Sequence, residues 1–427
     1  MALGTAGESN TQLRPTESQS YFLPMVLMVS LYFSIGFITA LNDILVPHFK
    51  DLFHLTNVKA LMVQLCFFGA YFVMSLPSGA IVGRIGYKAG IIASLCTMSA
   101  GLVLFVPASM VISYPFFLFA LFVVGSGLAL LQVAINPYVG ALGKPETAAQ
   151  RITICGFLNS SATTLAPKLG AAFIFVAAGA TAAELAHSVR MPYILLAVFS
   201  LLLALVTWFV PLPNVLEKAS SGEAVNGSAW QYRHLRLGSF AIFTYVGAEV
   251  AIGSLIINYL GQPSMGGLSH LAAATYVTYY WGGSLVGRFL GSFILLKVRA
   301  QHALAFVAAC ALILVCITLF GHGHVAGLAI VCCGLFNSVM WPCIFPLGVK
   351  GLGKLTSQGS GIMVMMVVGG AVIPEIQGLL ADHFGYQLSF SIVALCYAYL
   401  LYFALSGHKI IQPRFATLPD YVPPAEI

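Results

Sequence analysis

Apolar stretches long enough to cross a bilayer recur along the whole of this 427-residue chain. A helix needs about 20 mainly apolar residues to pass a hydrocarbon core about 30 Å thick. One soluble core has no use for so many such stretches. With 59% hydrophobic and only 7% charged residues, the chain also has little material for a wetted surface, and its mean hydropathy is +0.93. It therefore reads as an all-α membrane protein. Twelve spans can be drawn, at 22–47, 58–82, 87–107, 114–139, 150–178, 191–211, 238–260, 270–296, 301–320, 325–349, 357–381 and 387–406.

Five ionisable residues fall inside those spans: Asp43, Lys168, Glu249, Arg288 and Glu375. A charge in hydrocarbon costs at least a few kcal/mol unless it faces a partner or a watery cavity. The function is expected where such charges collect, in a polar interior.

The remaining Lys and Arg residues give the orientation. The even-numbered loops and the two termini hold fourteen, among them Arg84, Lys88, Lys144, Lys350 and Lys354, whereas the odd-numbered loops hold only Lys50, Lys59 and Arg190. Because cytoplasmic loops carry the excess of positive charge, both termini are expected in the cytoplasm, in a cell inner (cytoplasmic) membrane. Residues 1–20 lack the charged start and cleavage site of a signal peptide and read as a flexible tail. Residues 212–237 are rich in Ser, Gly and Asn and cannot bury a core, so they read as a linker. The chain thus divides into a six-helix bundle over 21–211, a linker, a second bundle over 238–406 and a tail over 407–427. The Asn226-Gly227-Ser228 sequon would face the cytoplasm and is read as a chance match.

The halves resemble each other weakly. Gly127 to Lys144 can be laid on Gly334 to Lys354, and Leu165 to Gly170 on Val372 to Gly378, which sets Pro167-Lys168 against Pro374-Glu375. Such internal symmetry marks secondary transporters, whose site lies near the membrane midplane between repeats. Other classes lack support. The nine cysteines have no CxxC spacing and read as small buried thiols, and the charge of +6 is spread over short loops, which gives no footing for nucleic acid. No catalytic constellation is visible, and no phosphate-cradling GxxxxGK[ST] loop serves an ATP-driven pump. Neither cofactor nor metal is expected.

PSGAIVGRIGYKAGI, Pro77 to Ile91, resembles the second cytoplasmic loop signature of the major facilitator superfamily, with Gly83 in place of its usual Asp. Here Arg84 and Lys88 can cap helix C-termini and change partners as helices rock. TALNDILVPHF (39–49), LLQVAINPYVGALG (130–143), YVGAEVAIGSLIINYL (245–260), VMWPCIFPLGVKGLG (339–353) and VVGGAVIPEIQGLLAD (367–382) together resemble the fucose/glucose/galactose/N-acetylglucosamine permease family, over about 21–407. The resemblance implies a twelve-helix fold in two pseudo-symmetric six-helix bundles. It also implies import of a neutral hexose or hexose derivative by symport. Gln132 stands where a fucose/proton symporter of that family carries Glu.

Site residues follow from the chemistry of a sugar. A pyranose offers hydroxyls that donate and accept, plus apolar C–H faces, so its site needs neutral amides and an aromatic platform. Gln132, Asn136, Asn159, Asn337 and Trp341 supply these, with Asn42 beside Asp43. By the resemblance, Gln132, Asn159 and Trp341 line the sugar cavity and Asp43 takes up the proton. Each amide has a second reading as an interhelical hydrogen bond. Asp43 and Glu249 are single titratable groups suited to carry a proton in and release it. Arg288 is expected to balance a buried carboxylate or to snorkel, and Lys168 and Glu375 to form a gate of charge pairs. The alternatives are sodium-coupled sugar symport and drug/proton antiport in the same superfamily. The lipid bilayer, a sugar and a proton or sodium ion are the expected partners of a monomer.

Overall fold

The computed structural model describes residues 21–55, 57–174, 181–213, 227–265 and 267–411. Its α-helices are α1 (Phe22–Leu52), α2 (Asn57–Ile85), α3 (Tyr87–Val103), α4 (Phe105–Val111), α5 (Tyr114–Ala141), α6 (Ala148–Ile174), α7 (Ala182–Ser188), α8 (Arg190–Phe209) and α9 (Arg233–Leu260). They continue as α10 (His270–Ile294), α11 (Ala300–Phe320), α12 (Gly323–Asn337), α13 (Met340–Val349), α14 (Thr356–Met365), α15 (Gly369–Phe384), α16 (Tyr386–Ser389) and α17 (Ser391–Tyr402). Pairing α3 with α4, α7 with α8, α12 with α13, α14 with α15 and α16 with α17 gives twelve rods, eleven of them within about five residues of an expected span. The rod of α7 and α8 begins at Ala182 rather than at the expected 191, because the short α7, capped by Thr181 and Glu184, is too polar to join an apolar stretch. The described residues contain no strand.

Among the described residues, ten rods are apolar enough by themselves to cross a membrane, counting the bent α12–α13 pair as one. The other two, α6 and α10, are 27 and 25 residues long. At 1.5 Å per residue each reaches about 38–40 Å, so length is not what sets them apart. Both carry more polar residues, among them Arg151, Asn159 and Ser160 in α6 and Arg288 in α10.

Helix α9 starts at Arg233 rather than at the expected 238. Hydropathy marks where the apolar stretch begins, but the helix runs on past it: buried His234 places its Nε2 3.0 Å or less from the Lys350 carbonyl, at 2.8 Å. Lys88 behaves as expected, its Nζ donating to the Trp208 and Val210 carbonyls at 2.9 and 3.0 Å at the end of α8. Arg84 is exposed in the last turn of α2.

Contacts between the two sets of rods gather at the end that carries both termini. There α14 of the second set lies against α2 and α5 of the first. Small residues allow the approach: a Cβ added to Gly79 would sit 2.8 Å from the Ser357 carbonyl oxygen, and one added to Gly361 2.6 Å from that of Ser75. Proline adds a chemical link. Pro137 inside α5 has no N–H for the carbonyl one turn back, that of Val133. Ser360 on α14 donates to that carbonyl at 2.8 Å. A carbonyl freed by proline in the first half is thereby satisfied from the second.

The buried-thiol reading of the cysteines holds for Cys155, Cys333, Cys343 and Cys396 only. Cys96 and Cys332 are exposed and Cys66, Cys310 and Cys316 partly so, because the outer face of an apolar span accepts a small thiol as readily as the core does.

Candidate functional site

A cavity of about 210 Å³ lies between the two sets of rods, with walls from α1, α2, α5, α6, α9, α10 and α13. Its polar wall is built one helical turn at a time. Gln132 and Asn136 both belong to α5, four residues apart, and so share a face. Gln132 Nε2 donates to the Tyr71 hydroxyl of α2 at 3.0 Å. The Tyr32 hydroxyl of α1 donates to Asn136 Oδ1. On α6, Asn159 Nδ2 donates to the Tyr32 backbone carbonyl at 3.0 Å. The crossing of α1 and α6 is close because Gly36 lacks a side chain; a Cβ there would meet the Asn159 carbonyl oxygen at 2.3 Å.

The second half contributes a carboxylate, a guanidinium and an indole. Glu249 lines the cavity midway along α9, and its Oε1 is buried with no hydrogen-bond partner. Tyr245, one turn earlier, and Arg288 of α10 lie close enough to act on that carboxyl group. Arg288 does not snorkel. Its Nε donates to the Ser338 carbonyl at 3.2 Å, and its Nη1 donates to the Gly156 carbonyl at 3.0 Å and to the Ser160 hydroxyl. The first of these bonds has a sequence cause: Pro342 leaves the Ser338 carbonyl without its helical donor, at the 43° bend between α12 and α13. Arg288 thus ties the break in one half to α6 of the other. Trp341, next to the break, faces the cavity and stacks on Phe345 at 5.9 Å between ring centroids.

Gln132, Asn136, Asn159, Glu249, Arg288 and Trp341 are therefore brought together. Asn337 is not. It is fully buried in the second half, where Nδ2 donates to the Tyr280 hydroxyl at 2.8 Å and Oδ1 accepts from that of Tyr397 at 2.7 Å. Tyr280 in turn donates to the Glu249 backbone carbonyl at 3.0 Å, so Asn337 stands behind the cavity wall. Helical spacing from Trp341 suggested a shared face, but the bend at 338–339 breaks the register between the two. Asn42 also misses the cavity: it is buried between α1 and α2, its Nδ2 3.4 Å from Gln64 Oε1. Glu375 lies outside the cavity too, exposed on α15 near Val372, Ile376 and Leu379. The side chains of Asp43 and Lys168 lie outside the described residues.

Sequence reasoning missed Tyr32, Tyr71, Thr39 and Thr163, all of which line the cavity. The signal was present in part, since a tyrosine in an apolar span carries a hydroxyl that needs a partner.

A twelve-rod membrane bundle in two halves, with a polar cavity between them, defines a membrane transporter. The family model described as Major Facilitator Superfamily matches residues 28–374, and the chain belongs to that superfamily. It is 48% identical over 397 residues to a glucose/galactose transporter of Brucella abortus, covering 92% of this chain and 96% of the relative. To the L-fucose-proton symporter of Escherichia coli it is 32% identical over 412 residues, covering 91% and 94%. A crystal structure of FucP in the outward conformation superposes with a TM-score of 0.83 at 32% identity, covering 91% of this chain and 99% of that one.

Proposed function

We propose that this chain imports a neutral hexose or hexose derivative by proton-coupled symport, with the cavity opening alternately to the two sides. The observation that carries the reading is the convergence of three amides, an indole and one carboxylate on a single cavity between the halves. Amides and an indole suit a neutral polyol with an apolar face, and a buried carboxylate suits a proton. The names of the relatives, glucose/galactose transporter and L-fucose-proton symporter, support the same class of substrate and ion.

Glu249 is proposed as one proton carrier and Asp43 as the other. Arg288 is close enough to Glu249 to feel its charge and is bonded across both halves, which makes it the group through which protonation reaches the closed end. Lys168 and Glu375, at matching places in the repeats, are proposed to meet when the opposite end closes; an exposed Glu375 fits an open one. The Lys and Arg distribution supports a cytoplasmic-membrane protein with both termini inside. The cavity is complete within one chain, which supports a working monomer.

Uptake into proteoliposomes tests the reading, with labelled glucose, galactose, fucose and N-acetylglucosamine under imposed proton or sodium gradients. At least one hexose should accumulate under an inward proton gradient. Accumulation driven by sodium alone would replace the ion, and no uptake of any of the four would remove the sugar.

A further inference from the structure

The amide contacts around Tyr32 fix more than the shape of the cavity. Asn159 Nδ2 is bonded to the backbone carbonyl of Tyr32, and a carbonyl can only accept, so the amide is held with its nitrogen on α1 and its oxygen left over. The hydroxyl of the same tyrosine donates to Asn136 Oδ1, which leaves Asn136 with the opposite end, an Nδ2 buried at the cavity wall without a partner. Gln132 commits one N–H of its Nε2 to Tyr71 and keeps its oxygen. Glu249 adds a carboxylate oxygen that is likewise unpartnered. The wall thus carries acceptor oxygens from Gln132, Asn159 and Glu249, and Asn136 is the one of its three amides whose nitrogen has neither N–H partnered.

We propose that Tyr32 is the positioning residue that sets this polarity, so that the transported molecule is read by donating hydroxyl protons to Gln132, Asn159 and Glu249 while one of its oxygens accepts from Asn136. The inference deepens the sugar reading and rests on it. A buried N–H that finds no partner is costly, so the Asn136 amide discriminates among substrates by whether they bring it an acceptor. Without the tyrosine hydroxyl, Asn136 Oδ1 loses the donor that holds it, and the amide has no reason to prefer either end.

Fluorine separates the two kinds of contact, because C–F cannot donate a hydrogen bond but retains weak accepting capacity, while C–H does neither. The experiment is competition against labelled hexose uptake by analogues of the transported hexose, each hydroxyl replaced in turn by fluorine or by hydrogen, in the parent and in Tyr32→Phe. In the parent, the position that meets Asn136 should tolerate fluorine but not hydrogen, and the positions that meet Gln132, Asn159 and Glu249 should lose affinity with either. Tyr32→Phe should raise the half-saturating concentration about tenfold at unchanged maximal rate, as the loss of one oriented hydrogen bond predicts, and the fluorine-tolerant position should disappear. Asn136→Asp, which replaces the donor by a further acceptor, should abolish that position in the same way. A parent with no fluorine-tolerant position, or a Tyr32→Phe protein that keeps the parent's pattern, overturns the assignment of Tyr32. A parent that transports none of the unmodified hexoses overturns the sugar reading itself and this inference with it.

Discussion

At the scale of single residues, the cavity separates groups that touch cargo from groups that hold the wall. Glu249→Gln keeps the shape of the side chain but cannot cycle a proton, and Asp43→Asn does the same in α1. Each should abolish accumulation against a gradient while counterflow exchange persists, and undiminished accumulation in both would remove the two as carriers. Gln132→Ala and Asn159→Ala each strip the wall of an acceptor. A buried hydroxyl left without its partner loses about 1–3 kcal/mol, so the measured sugar affinity should fall about ten- to hundredfold. Asn337→Ala should behave in the opposite manner. It leaves the buried Tyr397 hydroxyl without its acceptor and that of Tyr280 without its donor, so thermal unfolding of the purified protein should come at a lower temperature while sugar affinity stays near that of the parent. A loss of affinity without a loss of stability would return Asn337 to the cavity.

At the scale of helices, prolines and glycines do the positioning that apolar patterning does not. Pro137 and Pro342 each free a carbonyl one turn back, and each carbonyl is taken by a side chain from another helix, Ser360 in one case and Arg288 in the other. The Ser360 bond and the glycine contacts of α2 with α14 hold the terminus-bearing end shut. Ser360→Ala should leave the Val133 carbonyl seeking water and favour opening there. Gly361→Ala should do so more strongly, since its Cβ would lie 2.6 Å from the Ser75 carbonyl oxygen. The check is a cysteine at Ile152, a cavity residue, in a background without the native thiols: it should label faster from the terminus-bearing face in both variants. Equal rates in parent and variants would make the contact incidental to gating.

For the molecule as a whole, the proposed proton on Glu249 requires a group that can pass its effect to both bundles. Arg288 is the group that belongs to both: it reaches from α10 to the break before α13 and to α6 in the other half, beside a carboxylate that can be charged or neutral. Arg288→Lys keeps the charge but presents one ammonium in place of a planar fork, so it cannot hold all three oxygens together. The variant should fold and still bind sugar, yet its proton-driven uptake should fall by at least tenfold, with binding and uptake measured on the same preparation. Normal uptake would show that charge alone is needed there.

Hydrophobicity by itself determined the element list. The lengths of the apolar stretches placed eleven of twelve spans within about five residues of the observed rods and missed only the polar start of the rod at Ala182, because lipid imposes the same requirement on every helix wherever it packs. Periodicity also placed Gln132 and Asn136 on one face, and burial cost singled out Glu249 and Arg288, though it singled out Glu375 as well, which lies exposed outside the cavity. What the sequence could not decide was which polar groups meet. Asn136 and Asn337 look alike as amides in apolar spans, but one is left with a free nitrogen at a cavity wall and the other is saturated by two tyrosines. Tyr32 sits in an unremarkable apolar run and yet orients two amides from other helices. Those outcomes depend on helix rotation, on the 43° bend at 338–339 and on close crossings at single glycines. They are properties of packing between segments far apart in the chain, which local patterning does not encode.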